Sequence, residues 1–122
     1  MTGAIHTRRF EIEAFVTKDG SVIRELMHPA TQASRAQSLA EATLGPGTIT
    51  VLHRHHASEE LYFILEGSAE MTLDAKAFPV AAGDTVCIAP GTGHRIRNTG
   101  VTPLRLLCCC APAYRDDDTE LL

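Results

Sequence analysis

The chain has 122 residues, a formal net charge of −4, and hydrophobic and charged fractions of 44% and 21%. These values predict one domain that buries enough surface to fold without disulfides or a structural metal. The acidic balance argues against a nucleic-acid partner and a polybasic membrane anchor, and no apolar run approaches the ~20 residues of a membrane-spanning helix. The first fifteen residues lack the apolar segment of a secretory signal, so we expect a soluble, cytoplasmic protein.

Helix signals are weak along the whole chain. The best candidate, 29–37, has no apolar stripe that would pack against a core. Short apolar runs instead alternate with turns rich in Gly, Pro, Asn and Asp about every 8–12 residues, which is typical of an all-β sandwich or barrel. The predicted strands are 10–16, 22–26, 37–44, 48–55, 61–66, 68–73, 78–81, 85–88, 94–98 and 104–111.

Two connecting features complete this prediction. Gly67 lies between two predicted strands, as a tight hairpin would require. Residues 114–122 contain three consecutive aspartates, and such a charge run predicts a solvated, acidic C-terminal tail.

The predicted organisation has three parts. Residues 1–36 form N-terminal strands and a short connecting segment, residues 37–113 form the barrel with the functional site, and residues 114–122 form the tail. Because a small barrel exposes an edge strand, and a twofold mate is a common way to cover one, we expect a homodimer. Residues 1–36 are expected to contact the mate, with 10–16 crossing over.

The four cysteines are Cys87 and the consecutive Cys108, Cys109 and Cys110. No C-x-x-C pair is present, which excludes a zinc ribbon. Neighbouring strand residues point to opposite faces, so the three consecutive cysteines cannot form one regular set of disulfide bonds. We expect free thiols in a reducing compartment. Cys87 is predicted to be buried, and the other three to pack in the core and on the sheet surface.

Histidines supply the strongest chemical signal. His53 and His55 are two residues apart in a strand-like run, so both imidazoles lie on one face. Glu60 begins the next predicted strand, and His94 begins a later one. Three neutral imidazoles and one carboxylate suit a divalent Fe, Mn, Ni, Cu or Zn ion, and leave one or two positions of a five- or six-coordinate ion open.

The spacing of these residues forms two motifs, Gly47-x5-His53-x-His55-x4-Glu60-x6-Gly67 and Gly83-x5-Ala89-x-Gly91-x2-His94-x3-Asn98. With them the chain resembles the cupin family, in its small single-domain form. The resemblance implies a double-stranded β-helix, or jelly-roll, barrel. It also implies that His53, His55, Glu60 and His94 bind one divalent transition metal per chain. Ala89 departs from the proline usual in the second motif, without affecting a ligand. Glu59 does not give the six-residue spacing to Gly67, so we interpret it as a rim residue.

Other polar residues receive weaker interpretations. Tyr62 shares the face of Glu60, and we consider it a candidate catalytic residue, the alternative being a core tyrosine bonded to backbone. Asn98 is expected to hold a turn. His56 is interpreted as an exposed neighbour of the ligands. His6 and His28 are interpreted as ordinary polar residues. Candidate pocket groups on the early strands are Arg24, Gln37 and Glu41, but the sequence does not define which face of those strands points inward.

The resemblance leaves the reaction open. Our first hypothesis is a metal-dependent oxygenase or oxidoreductase acting on a small, oxygen-rich molecule that chelates the metal. The alternatives are an isomerase or lyase acting on a sugar or sugar acid, a non-catalytic cupin that binds or senses a small ligand, and a domain whose metal is only a structural staple.

Overall fold

A computed structural model describes residues 3–122 and contains two antiparallel sheets. The strands are β1 Phe15–Val16, β2 Val22–Met27, β3 Ser38–Leu44, β4 His53–His55, β5 Glu59–Glu66, β6 Ser68–Leu73, β7 Lys76–Ala81, β8 Thr85–Ile88, β9 His94–Asn98, β10 Leu104–Ala111 and β11 Thr119–Leu121. One sheet has the order β1-β2-β3-β10-β5-β8, and the other has the order β11-β4-β9-β6-β7. The all-β jelly-roll barrel predicted from the sequence is confirmed.

The core lies between the two sheets and receives side chains from both. Along β5, Glu60, Tyr62 and Ile64 are buried while the residues between them are exposed, and β10 alternates in the same way. This period of two is what a sheet with one face in the core requires. The largest fully buried apolar side chains are Ile64, Met71, Ile88, Ile96, Leu104 and Leu106.

Gly67 does not form the predicted hairpin. It joins β5 of one sheet to β6 of the other, so the two strands that flank it are not paired with each other. Its φ is +98°, and a Cβ placed there would lie 3.3 Å from the Cα of Leu104. Glycine is therefore needed both for the backbone angle and for the close approach of β10.

The N-terminal segment contains less strand than predicted. Only Phe15–Val16 of the expected strand at 10–16 pairs with β2, and Arg9–Glu11 forms a 3-10 turn. Residues 29–37 contain no helix, which the missing apolar stripe explains. The side chain of Arg9 reaches β3, where its Nη2 lies 2.7 Å from the buried Glu41 carboxylate.

The interpretation of 114–122 as a solvated tail was wrong. Asp116–Asp118 forms a 3-10 turn, and Thr119–Leu121 pairs with β4 along its whole length. The carboxylate of Asp118 accepts hydrogen bonds from the backbone N–H groups of Ala57 and Ser58. Part of the aspartate run therefore satisfies backbone donors at the β4–β5 connection, and the segment completes the sheet that carries His53, His55 and His94.

The cysteines are all free thiols. Cys108 and Cys110 are buried and Cys109 is half-buried, as expected, but Cys87 is exposed. The prediction for Cys87 was wrong because it lies between Val86 and Ile88, which occupy the buried face of the short strand β8. Within residues 3–122, no helix has the length and apolar character needed to cross a membrane.

Candidate metal centre

Three strands bring the predicted ligand residues to one point inside the barrel. His53 and His55 lie on β4, Glu60 at the start of β5, and His94 at the start of β9, and all four are buried. His53 is directly opposite His94 in the register of β4 and β9. The ligand nitrogens of the three histidines lie within 4.8 Å of one another, which positions them to bind one metal ion.

The outer nitrogen of each imidazole is held by an acceptor. Nδ1 of His53 donates to the carbonyl of Val51 at 2.7 Å, and Nδ1 of His94 donates to the carbonyl of Thr92 at 3.0 Å. Nδ1 of His55 lies 2.9 Å from Thr119 Oγ1, whose own proton is donated to a backbone carbonyl. With the proton on Nδ1, a neutral imidazole presents the lone pair of Nε2, and these lone pairs face the interior.

The imidazole Nε2 atoms and the Glu60 carboxylate are therefore hydrogen-bond acceptors that face one another inside the barrel with no donor between them. Oε1 of Glu60 lies 3.1 Å from Nε2 of His55 and 3.3 Å from Nε2 of His94. Nε2 of His94 is completely buried and makes no hydrogen bond to any described residue. Buried polar atoms normally have a partner, and a divalent cation satisfies all of these acceptors together. The residues present thus fit a metal ion.

Ionisation of the metal-free site depends on the same residues. Burial raises the pKa of Glu60, but the His55 and His94 imidazoles, when they carry a proton on Nε2, outweigh that effect and lower the pKa to about 2. Burial lowers the pKa of His53, and the nearby His94 lowers it further. A carboxylate and a neutral imidazole are the forms that bind metal ions.

The distal oxygen of Glu60 also has a partner. The thiol of Cys110, on the neighbouring strand β10, lies 3.4 Å from Oε2 and donates to it. Burial raises the pKa of this thiol, so it remains protonated. Oε1 is left to face the histidines, and the adjacent Glu59 is exposed, as expected for a rim residue.

A cavity opens beside the histidines, and both apolar and polar side chains line it. Tyr62 lies in its wall, with its ring 6.0 Å from that of His94. Its ring belongs to the buried core, as the alternative interpretation expects, but no backbone hydrogen bond of its hydroxyl is observed within residues 3–122. Burial raises the pKa of Tyr62 well above its usual value, so the phenol stays protonated and can donate.

The polar residues proposed on early strands do not line this cavity. Arg24 donates to the carbonyl of Ile12, and the Glu41 carboxylate is paired with two arginines. The Gln37 side chain bonds the half-buried Cys109. Glu25 and Ser38 line the cavity instead. Glu25 directly follows Arg24, and Ser38 directly follows Gln37. The sequence therefore located the correct strands, but it did not define which alternate residues of each strand face the cavity.

Two residues that line the cavity were missed. Thr119 orients His55, and Asp19, in the turn between β1 and β2, has its Oδ2 3.5 Å from Nε2 of His53. Sequence patterns could not find either residue, because both are distant from the motifs and approach the site only through the tertiary fold.

The remaining sequence interpretations agree with the structure. His56 is exposed beside Glu120, and His28 bonds backbone at 30 and 114. His6 is exposed. The side chain of Asn98 donates to the carbonyls of Leu44 and Thr102 and accepts from Gly100, so it holds the turn after β9.

Comparison with known proteins identifies relatives over most of the chain. A family model described as a cupin domain matches residues 40–110. An uncharacterized protein of Methanocaldococcus jannaschii is 51% identical over 118 residues, which are 97% of this chain and 94% of that protein. The oxalate-binding protein of Thermotoga maritima is 36% identical over 84 residues, 69% of this chain and 65% of that protein.

Solved structures agree with these matches. A predicted oxalate decarboxylase from Thermotoga maritima has a TM-score of 0.77 at 29% identity, covering 88% of this chain and 99% of that one. A variant of Streptomyces Pac13 with uridine, a nucleoside dehydratase, has a TM-score of 0.79 at 18% identity, covering 97% of this chain and 90% of that one. At this identity the second match shows a shared fold.

Proposed function

The chain belongs to the cupin family, and we propose that it is a metal-dependent enzyme acting on a small, oxygen-rich organic molecule. In this proposal His53, His55, Glu60 and His94 bind one divalent transition metal per chain. The observation that carries it is the set of buried acceptor atoms around Nε2 of His94, which has no hydrogen-bond donor of its own. The cavity beside these atoms supplies the space that a substrate requires.

The chain's own residues orient the metal ligands, donate a hydrogen bond to the substrate and exclude water from the site. When bound, the metal supplies Lewis-acid chemistry or, in the case of iron, oxygenase chemistry. Hydrogen bonds at Nδ1 fix the three imidazoles, and the Cys110 thiol fixes Glu60. The free hydroxyl of Tyr62 donates a hydrogen bond to a substrate oxygen. The apolar side chains of the cavity wall exclude water, which strengthens these polar interactions.

An oxygenase or oxidoreductase reaction is the first version of this proposal. Three neutral imidazoles and one carboxylate suit iron and manganese as well as Ni, Cu and Zn. Binding without catalysis is the second candidate, and the 36% identity to an oxalate-binding protein favours it. Oxalate is a small dianion with adjacent oxygens, so it serves as a probe for both versions.

The experiment loads metal-free protein with each of Fe, Mn, Ni, Cu and Zn and supplies a small diketone, oxalate or a sugar acid. Oxygen uptake and products are followed by electrode and NMR. Turnover that is lost in His94→Gln and kept in His56→Gln supports the enzyme, because His56 is an exposed histidine beside the same ligands. Oxygen uptake identifies an oxygenase, and product formation without it identifies an isomerase or lyase. Oxalate binding without turnover favours the binding module, and the absence of both overturns the proposal.

A homodimer is the second part of the proposal. The outer face of β5 exposes Leu61, Phe63 and Leu65, with 36% to 41% of each side chain accessible. Leu107 and Cys109 of β10 lie beside Phe63 and Leu61 in the register, which makes the apolar face continuous. A second copy that packs on this face, with 1–36 beside it, would remove that surface from water.

A further inference from the structure

Asp19 approaches the metal centre from outside the two sequence motifs. It lies in the turn between β1 and β2, and its side chain is 14% exposed. Its Oδ2 atom is 3.5 Å from Nε2 of His53, and these two atoms do not form a hydrogen bond with each other. Two ligand atoms that each lie ~2.0–2.2 Å from one ion are separated by about 3 to 4 Å, so this distance is compatible with an ion shared with His53. Asp19 is not in the group whose ligand atoms all lie within 4.8 Å of one another, which is His53, His55 and His94.

The proton positions support the same conclusion. Nδ1 of His53 donates to the carbonyl of Val51, so its neutral imidazole presents a lone pair at Nε2. The other oxygen of Asp19, Oδ1, accepts from the Thr17 hydroxyl and from both the hydroxyl and the backbone N–H of Ser21. Oδ2 and Nε2 therefore face each other as two acceptors, and a cation between them would convert a repulsive pair into a stable one.

The turn that carries Asp19 is fastened on two sides. Its backbone carbonyl accepts from the N–H of Val51, the residue whose own carbonyl orients His53. The neighbouring Lys18 donates to the backbone carbonyls of Asp116 and Thr119 at 2.9 Å each. The turn is thus held against both β4 and the C-terminal segment, with the Asp19 carboxylate directed into the site.

We propose that Asp19 is a further protein ligand of the metal, joining His53, His55, Glu60 and His94. This inference rests on the proposed metal-dependent function and extends it. A six-coordinate ion would keep one open position, and a molecule that binds through two oxygens would have to displace the Asp19 side chain. Access to the metal would then depend on the β1–β2 turn as well as on the barrel motifs.

The test uses the full chain and Co²⁺ alone as the probe. Asp19→Asn keeps the acceptor for Thr17 and Ser21 but removes the carboxylate, and Asp19→Ala leaves space in the cavity. Asp116→Asn is the matched control, because it removes a carboxylate charge from an exposed residue that does not line the cavity and contacts Lys18 rather than a histidine. Affinity is measured by competition with a chelator, the Co²⁺ absorption spectrum is recorded, and thermal unfolding of the metal-free protein checks the fold.

The expected result is a loss of affinity of at least about 10-fold in both Asp19 variants, with a changed Co²⁺ spectrum. Added acetate should restore the wild-type spectrum in Asp19→Ala by supplying the missing carboxylate. Unchanged affinity and spectrum overturn the inference, and so does weaker binding with an unchanged spectrum, which would show electrostatic attraction alone. If the wild-type chain itself does not bind Co²⁺, the proposed function fails as well, so the two failures are distinguishable.

Discussion

Nδ1 of His55 lies 2.9 Å from Oγ1 of Thr119, and this contact joins the last strand of the chain to the metal centre. The hydroxyl proton of Thr119 is donated to the carbonyl of Arg115, so the oxygen accepts from the imidazole. Thr119 therefore fixes both the tautomer and the direction of His55. A residue three positions from the C-terminus acts on a ligand that lies in the middle of the sequence.

The first prediction concerns this contact. Thr119→Val keeps the shape of the side chain but removes the acceptor for His55. We expect metal affinity to fall about 10- to 100-fold, as is usual when a residue that orients a ligand is lost. Thr119→Ser should keep near-normal affinity because it retains the hydroxyl. Equal affinities for the three proteins in a chelator competition would contradict the role of Thr119.

Tyr62 provides a prediction about ligand binding. Tyr62→Phe removes a hydroxyl that has no hydrogen-bond partner within the described part of the chain, so the fold should lose little stability. We expect unchanged metal affinity and about 2- to 10-fold weaker binding of oxalate to the metal-loaded protein, the equivalent of one hydrogen bond. Isothermal titration calorimetry measures both values. Weaker metal binding with unchanged oxalate affinity would assign Tyr62 to the structure of the site instead.

A third prediction concerns acid stability away from the metal centre. The hydrogen bond from Arg9, together with that from Arg105, lowers the pKa of the buried Glu41 below its ordinary value of 4.5, although burial acts in the opposite direction. Because the folded-state pKa is lowered, the stabilisation is present above pH 4.5 and is lost as the pH falls through the folded-state value.

Glu41→Gln should therefore lower the free energy of unfolding at neutral pH by about 1 kcal/mol, since Arg9 is half-exposed and solvent screens the pair. The difference from wild type should shrink below pH 4.5. Urea unfolding of the metal-free proteins measures this. Glu70→Gln is the control, because it removes an exposed ion pair with Arg97 on the other sheet. A difference that is constant with pH would exclude the role assigned to the Glu41 carboxylate.

The dimer leads to a fourth prediction. Phe63→Glu places a charge in the apolar outer face of β5, and it should convert a dimer into a monomer in light scattering. Val101→Glu, at a loop residue that is 92% exposed, should remain dimeric. Removing the first sixteen residues should give a monomer or an aggregate, but this change also removes the Arg9–Glu41 ion pair. A monomeric wild-type protein, or a well-behaved truncated dimer, would contradict the proposed assembly.

The sequence predicts the strands of the second motif well, but the strand predicted at 48–55 in the first motif is observed only at His53–His55. From residue 68 to residue 111 the predicted strands agree with the observed ones except at the start of β7, and His53, His55, Glu60 and His94 converge. Alternating apolar residues and turn signals are local, so they can be interpreted along the chain. The spacing of Glu60 from Gly67 also separates it from Glu59, which is exposed.

Features that depend on tertiary contacts were not predictable in this way. The aspartate run at 116–118 looked like a solvated tail because its backbone partners at Ala57 and Ser58 are far away in sequence. Glu25 and Ser38 line the cavity only because of the phase of β2 and β3, which the weak early pattern does not define. Asp19 reaches His53 through a turn whose position depends on its bonds to Val51 and the C-terminal segment.

The most direct test of the metal centre is the metal content of the purified, reconstituted protein by elemental mass spectrometry. We predict about one divalent transition metal ion per chain in the wild type and in His56→Gln, and none in a His53→Ala/His94→Ala double variant that remains folded. The wild-type chain holding no metal after reconstitution, or the double variant holding as much as the wild type, would contradict the account.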